Sequence, residues 1–170
     1  MKFTYCPDCG SPLGHRDLGD EVAVPWCDRC DKPWFPVFPV AVIALIYNDA
    51  GQVLLLRQNY ISSEFCNLVS GYIIPGEDAE TCVVREIYEE TGLSADCLEL
   101  VRTDWFERKE MMMVGFFAHV SERRLRLSSE VDSAFWCDAA EILGYLSTRP
   151  GSTSRKLAEA FFIRKFIKSK

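Results

Sequence analysis

The sequence has no long hydrophobic run. Its longest, Val37 to Tyr47, is interrupted by Pro39, and it falls short of the roughly 20 apolar residues that a helical membrane span needs. No basic start leads into an apolar segment either, so no secretory signal is expected, and the chain is assigned to the cytoplasm without a membrane partner. Positive charge is also in short supply. Nineteen Lys and Arg against 25 Asp and Glu leave a net charge of −6, which offers a nucleic-acid backbone no broad attraction. With no helix-turn-helix pattern and no basic reading helix, nucleic acid is not an expected partner.

What is there fits a soluble globular protein: 170 residues, 48% hydrophobic and 26% charged, enough for one ordinary domain with a small appendage. The eight cysteines should stay reduced in the cytoplasm unless a metal claims them. Four have the spacing for one. Cys6-Pro7-Asp8-Cys9 and Cys27-Asp28-Arg29-Cys30 are two C-x₂-C knuckles separated by 17 residues, the pattern of a four-cysteine structural zinc site. Gly10, Pro12, Gly14 and Gly19 make the intervening segment turn-rich, with little core of its own, so metal binding would supply its folding energy. The rival reading is two redox-active or disulfide-forming pairs. His15 is a spare histidine, since four thiolates already complete a tetrahedral shell, and that closed shell leaves this metal no catalytic role. Cys66, Cys82, Cys97 and Cys137 lack metal spacing and read as small buried hydrophobes.

Trp34, Phe35, Pro36, Phe38 and Pro39 form a stiff apolar joint, with a zinc ribbon over 1–36 and a main domain over 37–170. Val40 to Tyr47 reads as a strand, Asn48 to Gly51 as a turn and Gln52 to Arg57 as its hairpin partner. Asn67 to Ser70 reads as a short strand, and Cys97 to Phe106 and Met111 to Val120 as two more, with Glu107 to Glu110 between them. These strands, one helix after Asp78 and a second over about Asp138 to Leu146 predict an α/β sandwich with a mixed sheet. Met111 to Met113 either alternate between the two faces of their strand or line an adaptable pocket.

The stretch from Gly71 to Leu93 carries the chemistry. Gly71, Pro75 and Gly76 mark a loop, Asp78 supplies a helix cap before Ala79, and Gly92 stops the helix. At about 100° per residue, Ala79, Val83 and Ile87 form a buried stripe, and Glu86 and Glu90 fall within about 60° of Val83. Two carboxylates on a dry face call for a cation or strong donors. An i to i+4 pair between Arg85 and Glu89 would hold the third acid. An oxygen cluster without His or Cys suits Mg²⁺; the plainer alternative is a solvated acidic face.

Gly71, Glu77, Arg85-Glu86-Ile87, Glu89-Glu90 and Gly92-Leu93 match the Nudix box at its nine defining positions over 23 residues. The chain therefore resembles the Nudix family. The resemblance implies an α/β/α sandwich with a mixed sheet. It also implies hydrolysis, with Mg²⁺ or Mn²⁺, of the diphosphate bond in a nucleoside diphosphate linked to another group. Glu86, Glu89, Glu90 and the Gly71 carbonyl are the implied metal ligands, with Glu77 and Arg85 supporting loop and helix. Glu130, with Ala134 and Trp136 after it, is similar to the family's additional catalytic glutamate; beside Ser128 and Ser129 it also reads as an exposed turn.

The combination with a zinc ribbon resembles the NADH pyrophosphatase branch, making NADH, NAD and ADP-ribose candidate substrates. Thr103-Asp104-Trp105-Phe106-Glu107 stands where that branch has a Ser-Gln-Pro-Trp motif, and Trp105 or Phe106 is left as the candidate for stacking on a base. The competing class is a non-catalytic module that senses a nucleotide or binds a protein. A tail helix after Ser152 or Thr153 has Leu157, Phe161, Phe162, Phe166 and Ile167 as its apolar residues and Arg155, Lys156, Arg164, Lys165 and Lys168 opposite. It is expected to dock on its own domain or across a homodimer interface, with the lysines facing water.

Overall fold

The computed structural model describes residues 3–168, with side chains through Arg164 in the last helix. Lys165, Phe166, Ile167 and Lys168 of the expected amphipathic pattern therefore lie outside the described side chains. The chain divides into two compact units, Met1–Phe38 and Pro39–Lys170.

The first unit is a three-stranded antiparallel sheet, β1 (Gly14–Leu18), β2 (Glu21–Cys27) and β3 (Lys32–Pro33), in the order β1-β2-β3. Leu18 pairs with Glu21, so Gly19-Asp20 is a two-residue hairpin turn, and Gly19 adopts the positive φ of 60° that such a turn demands. His15 sits exposed on β1 opposite Pro25. With only Cys6, Val24 and Cys27 buried among its described hydrophobic residues, this unit has little apolar core.

The second unit is built on a six-stranded mixed sheet. Its strands are β4 (Val40–Asn48), β5 (Gln52–Arg57), β6 (Val69–Tyr72), β7 (Cys97–Phe106), β8 (Met111–Val120) and β9 (Ser133–Asp138). The order is β7-β8-β4-β5-β9, with β6 also on β4. β4 runs parallel to β8 and antiparallel to β5 and β6. Its side chains alternate between two cores: Ala41, Ile43 and Leu45 enter one, Val42, Ala44 and Ile46 the other, all 4% exposed or less. A continuous apolar run is what a strand covered on both faces requires.

Helix α1 (Ala79–Thr91) covers one face through Cys82, Val83 and Ile87. Its ends are where the sequence puts them. Asp78 accepts a 2.7 Å hydrogen bond from the Thr81 amide, and Gly92, at φ 73°, closes the last turn by donating to the Tyr88 carbonyl. A Cβ on Gly92 would also lie 2.8 Å from Cβ of Arg126. The opposite face is covered by α3 (Thr153–Lys168) through Leu157, Ala158 and Phe161, so the described part of the tail docks on its own unit.

Three expectations change. The second helix is only one turn, α2 (Ile142–Tyr145), because Asp138 ends β9, whose Phe135 and Trp136 pair with Leu55 and Leu54. Cys97 is exposed rather than buried, since it starts the edge strand β7. Lys156 does not simply face water: its Nζ lies 2.9 Å from Oδ1 of Asp104. Met111 and Met113 enter the α3-side core while Met112 stays half-buried, so these methionines alternate. No helix among the described residues is long and apolar enough to cross a membrane.

Candidate active site and metal centres

Gly71 pairs with Val42 of β4, one residue before β6 ends at Tyr72, and lies against Glu86 of α1. The Glu86 carboxylate occupies the space where a Cβ of residue 71 would be, so only glycine admits that side chain against the strand. Arg85 holds the loop and the helix together. Its Nε and Nη2 grip the two Glu77 oxygens at 2.6 and 3.0 Å, and Nη2 also donates to the Tyr72 carbonyl at 3.3 Å. Its Nη1 meets Glu86 at 2.7 Å and Glu89 at 2.9 Å. The expected Arg85–Glu89 pair is present, but it is one branch of a fork whose bidentate partner is Glu77. That guanidinium holds the Glu77 carboxyl down at about 2.

Glu86 and Glu90 do lie on the dry side of α1. The Glu86 side chain is 14% exposed, and burial raises its pKa against the pull of Arg85. Glu90 is 3% exposed and burial pushes it up to about 7, offset in part by a 2.9 Å hydrogen bond from Gln58 Nε2 to its Oε1. Its Oε2 is buried, with no hydrogen-bond partner among the described residues. A desolvated carboxylate oxygen without a donor is costly, and a hard cation is the species this donor set fits. Glu89 is exposed at the rim.

Glu130 is exposed and reaches the same neighbourhood. The Ser128 amide donates to the Glu90 carbonyl at 3.2 Å, and Arg126 donates to Thr91, which lays this segment along the end of α1. The negative charge of Glu130 raises the pKa values of both Glu86 and Glu90. The fold thus brings together Gly71, Glu86, Glu90 and Glu130, with Glu89 at the edge and Glu77 and Arg85 behind. Two neighbours escaped the sequence reading: Gln58, just beyond β5, and Tyr60, whose hydroxyl lies 3.4 Å from Gln58 Nε2. The only local signal was a second polar residue, after Arg57, beyond the apolar run Val53 to Leu56.

Trp105 pairs with Met112 and Phe106 with Met111 across β7 and β8. As successive strand residues they face opposite sides. Phe106 packs against the α3-side core, and Trp105 is 46% exposed. Asp104, in the segment that departs from the branch motif, is gripped by Arg102 at 2.6 and 2.9 Å and by Lys156.

In the first unit, the sulfurs of Cys6, Cys9, Cys27 and Cys30 all lie within 4.8 Å of one another. Cys9 and Cys27 are 3.5 Å apart and Cys6 and Cys30 3.9 Å, while all eight cysteines are unbridged. Sulfurs at about 2.3 Å from a tetrahedral ion would be about 3.8 Å apart, so the cluster has the dimensions of a closed four-thiolate metal site.

Residues 37–160 match the family described as NUDIX domain. The chain is 28% identical over 169 residues to the NAD-capped RNA hydrolase NPY1 of Saccharomyces cerevisiae, covering 88% of this chain and 44% of that protein. It is 26% identical over 136 residues to the NAD-capped RNA hydrolase NudC of Stutzerimonas stutzeri, covering 79% and 48%. The chain thus spans about half the length of these relatives. Among solved structures, a NUDIX hydrolase from Nitrosomonas europaea superposes with a TM-score of 0.66 at 18% identity, covering 92% of this chain and 91% of that one.

Proposed function

The chain belongs to the NUDIX domain family, and from that premise we propose that it hydrolyses the diphosphate bond of a nucleoside diphosphate linked to another group. The observation that carries this reading is the pair of half-buried Glu86 and buried Glu90, with an unpartnered oxygen on Glu90 and the Glu86 carboxylate seated on Gly71.

Glu86, Glu90 and the Gly71 carbonyl would hold Mg²⁺ or Mn²⁺, with Glu89 at the rim. When bound, such a cation neutralises phosphate oxygens and lowers the pKa of a water. The residues of the chain do the remainder. Arg85 and Glu77 fix the loop against α1, so the Gly71 carbonyl and Glu86 keep one geometry. Burial around Glu90 removes bulk water from one side of the reacting phosphate and strengthens the local field. Glu130, exposed and close to both carboxylates, is placed to accept the proton from an attacking water. The four-cysteine cluster would hold a structural zinc in a ribbon domain over 1–36, ahead of a hydrolase domain over 37–170, and a cytoplasmic setting would keep its thiolates reduced.

For the substrate, the relatives' shared name favours a dinucleotide of the NAD type. It also brings NAD-capped RNA into consideration, although the net charge of −6 offers an RNA body no broad attraction. The deciding measurement is mononucleotide release from NADH, NAD, ADP-ribose, FAD, diadenosine polyphosphates, nucleoside triphosphates and NAD-capped RNA, each with Mg²⁺ and with Mn²⁺. The expected result is cleavage at the diphosphate with highest kcat/KM for an NAD-type compound. No turnover of any member would overturn the reading.

A further inference from the structure

Gln58 lies 32 residues before Glu90, outside the acidic motif, yet its side chain is drawn inward until the residue is only 1% exposed. A buried carboxamide needs partners for two N–H groups and for the lone pairs of its oxygen. Its nitrogen has them, donating to Glu90 Oε1 at 2.9 Å with the Tyr60 hydroxyl at 3.4 Å. Its oxygen has none among the described residues, and neither has Oε2 of Glu90. Two unpartnered acceptors thus belong to one hydrogen-bonded pair. Turning the amide over would set its oxygen against a carboxylate oxygen, so electrostatics fixes which end faces Glu90. Acceptors cannot satisfy one another; a cation and its hydration shell can satisfy both.

We propose that Gln58 is a positioning residue of the divalent-cation site, anchoring Glu90 through Nε2 so that Oε2 stays directed to the cation. The carboxamide oxygen of the same residue serves as acceptor for water in the cation's shell. This rests on Glu86 and Glu90 being the cation-binding carboxylates. It adds a requirement from the β5 end that the acidic motif does not contain.

The test is Mn²⁺ titration of the zinc-loaded full chain, read by electron paramagnetic resonance without nucleotide, on the parent chain, Glu90→Gln, Gln58→Met, Gln58→Leu and the control Val53→Ala. Melting temperatures are taken in Mn²⁺-free buffer. Two apolar replacements are used so that the outcome does not depend on one of them folding. The parent should bind Mn²⁺ and Glu90→Gln should lose that binding. Each folded Gln58 variant should bind about tenfold or more weakly, as expected for a group that orients a ligand, while its Mn²⁺-free melting temperature falls, because the buried Glu90 carboxylate loses the Gln58 donor. Parent-like Mn²⁺ affinity in a folded Gln58 variant would overturn the inference. So would an equal affinity loss in Val53→Ala, a control on β5 in the α3-side core that lowers the Mn²⁺-free melting temperature without removing a partner of Glu90, which would make Gln58 merely structural. Mn²⁺ binding that Glu90→Gln leaves unchanged would instead overturn the reading of the carboxylates.

Discussion

Lys156 on α3 places its ammonium 2.9 Å from Oδ1 of Asp104 on β7, while Arg102 grips the same carboxylate from within the strand. The Asp104 side chain is only 10% exposed, and the two cations hold its pKa below the usual carboxylate range despite its burial. Lys156→Met should leave the Asp104–Arg102 pair intact and cost about 1 kcal/mol, the upper end for a partly exposed ion pair. A shift in the urea midpoint, with faster amide exchange in α3, would show it; unchanged exchange would mean that apolar packing alone holds the helix.

The Arg85–Glu77 fork makes stability depend on pH with a definite sign. The folded pKa of Glu77, about 2, lies below its ordinary 4.5, so its contribution is complete above about pH 4.5 and lost as pH falls toward 2. The difference in urea midpoint between the parent chain and Glu77→Gln should be largest at neutral pH and shrink through that window. A pH-independent difference would remove the ion pair as its cause.

Glu90→Gln keeps the side-chain shape and takes a buried, half-partnered charge out of the interior. Turnover should fall by more than the roughly 100-fold that loss of an orienting neighbour can cost. The metal-free melting temperature should hold or rise, because an uncompensated buried carboxylate is destabilising. Steady-state kinetics beside thermal unfolding separates the two effects.

Gly71→Ala asks whether the close approach of strand and helix matters. Its methyl would fall within the Glu86 carboxylate, so Glu86 must leave its seat or the strand must move. A fall in kcat of about tenfold or more, like that from losing an orienting group, is expected, with smaller change in the KM for nucleotide. Parent-like kinetics would show that Glu86 acts from elsewhere.

The cysteine cluster should bind one zinc per chain, measurable by metal analysis of the purified protein. Strong chelation, or Cys6→Ser, should release it and unfold the first unit, whose few buried side chains give it little else to stand on. Near-parent spectra after complete zinc removal would make the metal dispensable for folding.

What the sequence determined by itself is what local chemistry decides. The bounds of α1 follow from Asp78 and Gly92, which act on amides and carbonyls a few residues away. The carboxylates share a face because helical phase is local, and the bounds of β7 and β8 were legible in their β-prone runs. The tertiary structure decided what depends on distant partners. Asp138 ends a strand rather than starting a helix because β9 pairs with β5, far earlier in the chain, Gln52 with Asp138. Cys97 is exposed because β7 falls at an edge, and Lys156 is paired because Asp104 lies 52 residues away. Gln58 was invisible for the same reason: a lone polar residue after a strand is ordinarily solvated, and only packing against Glu90 makes it part of the site.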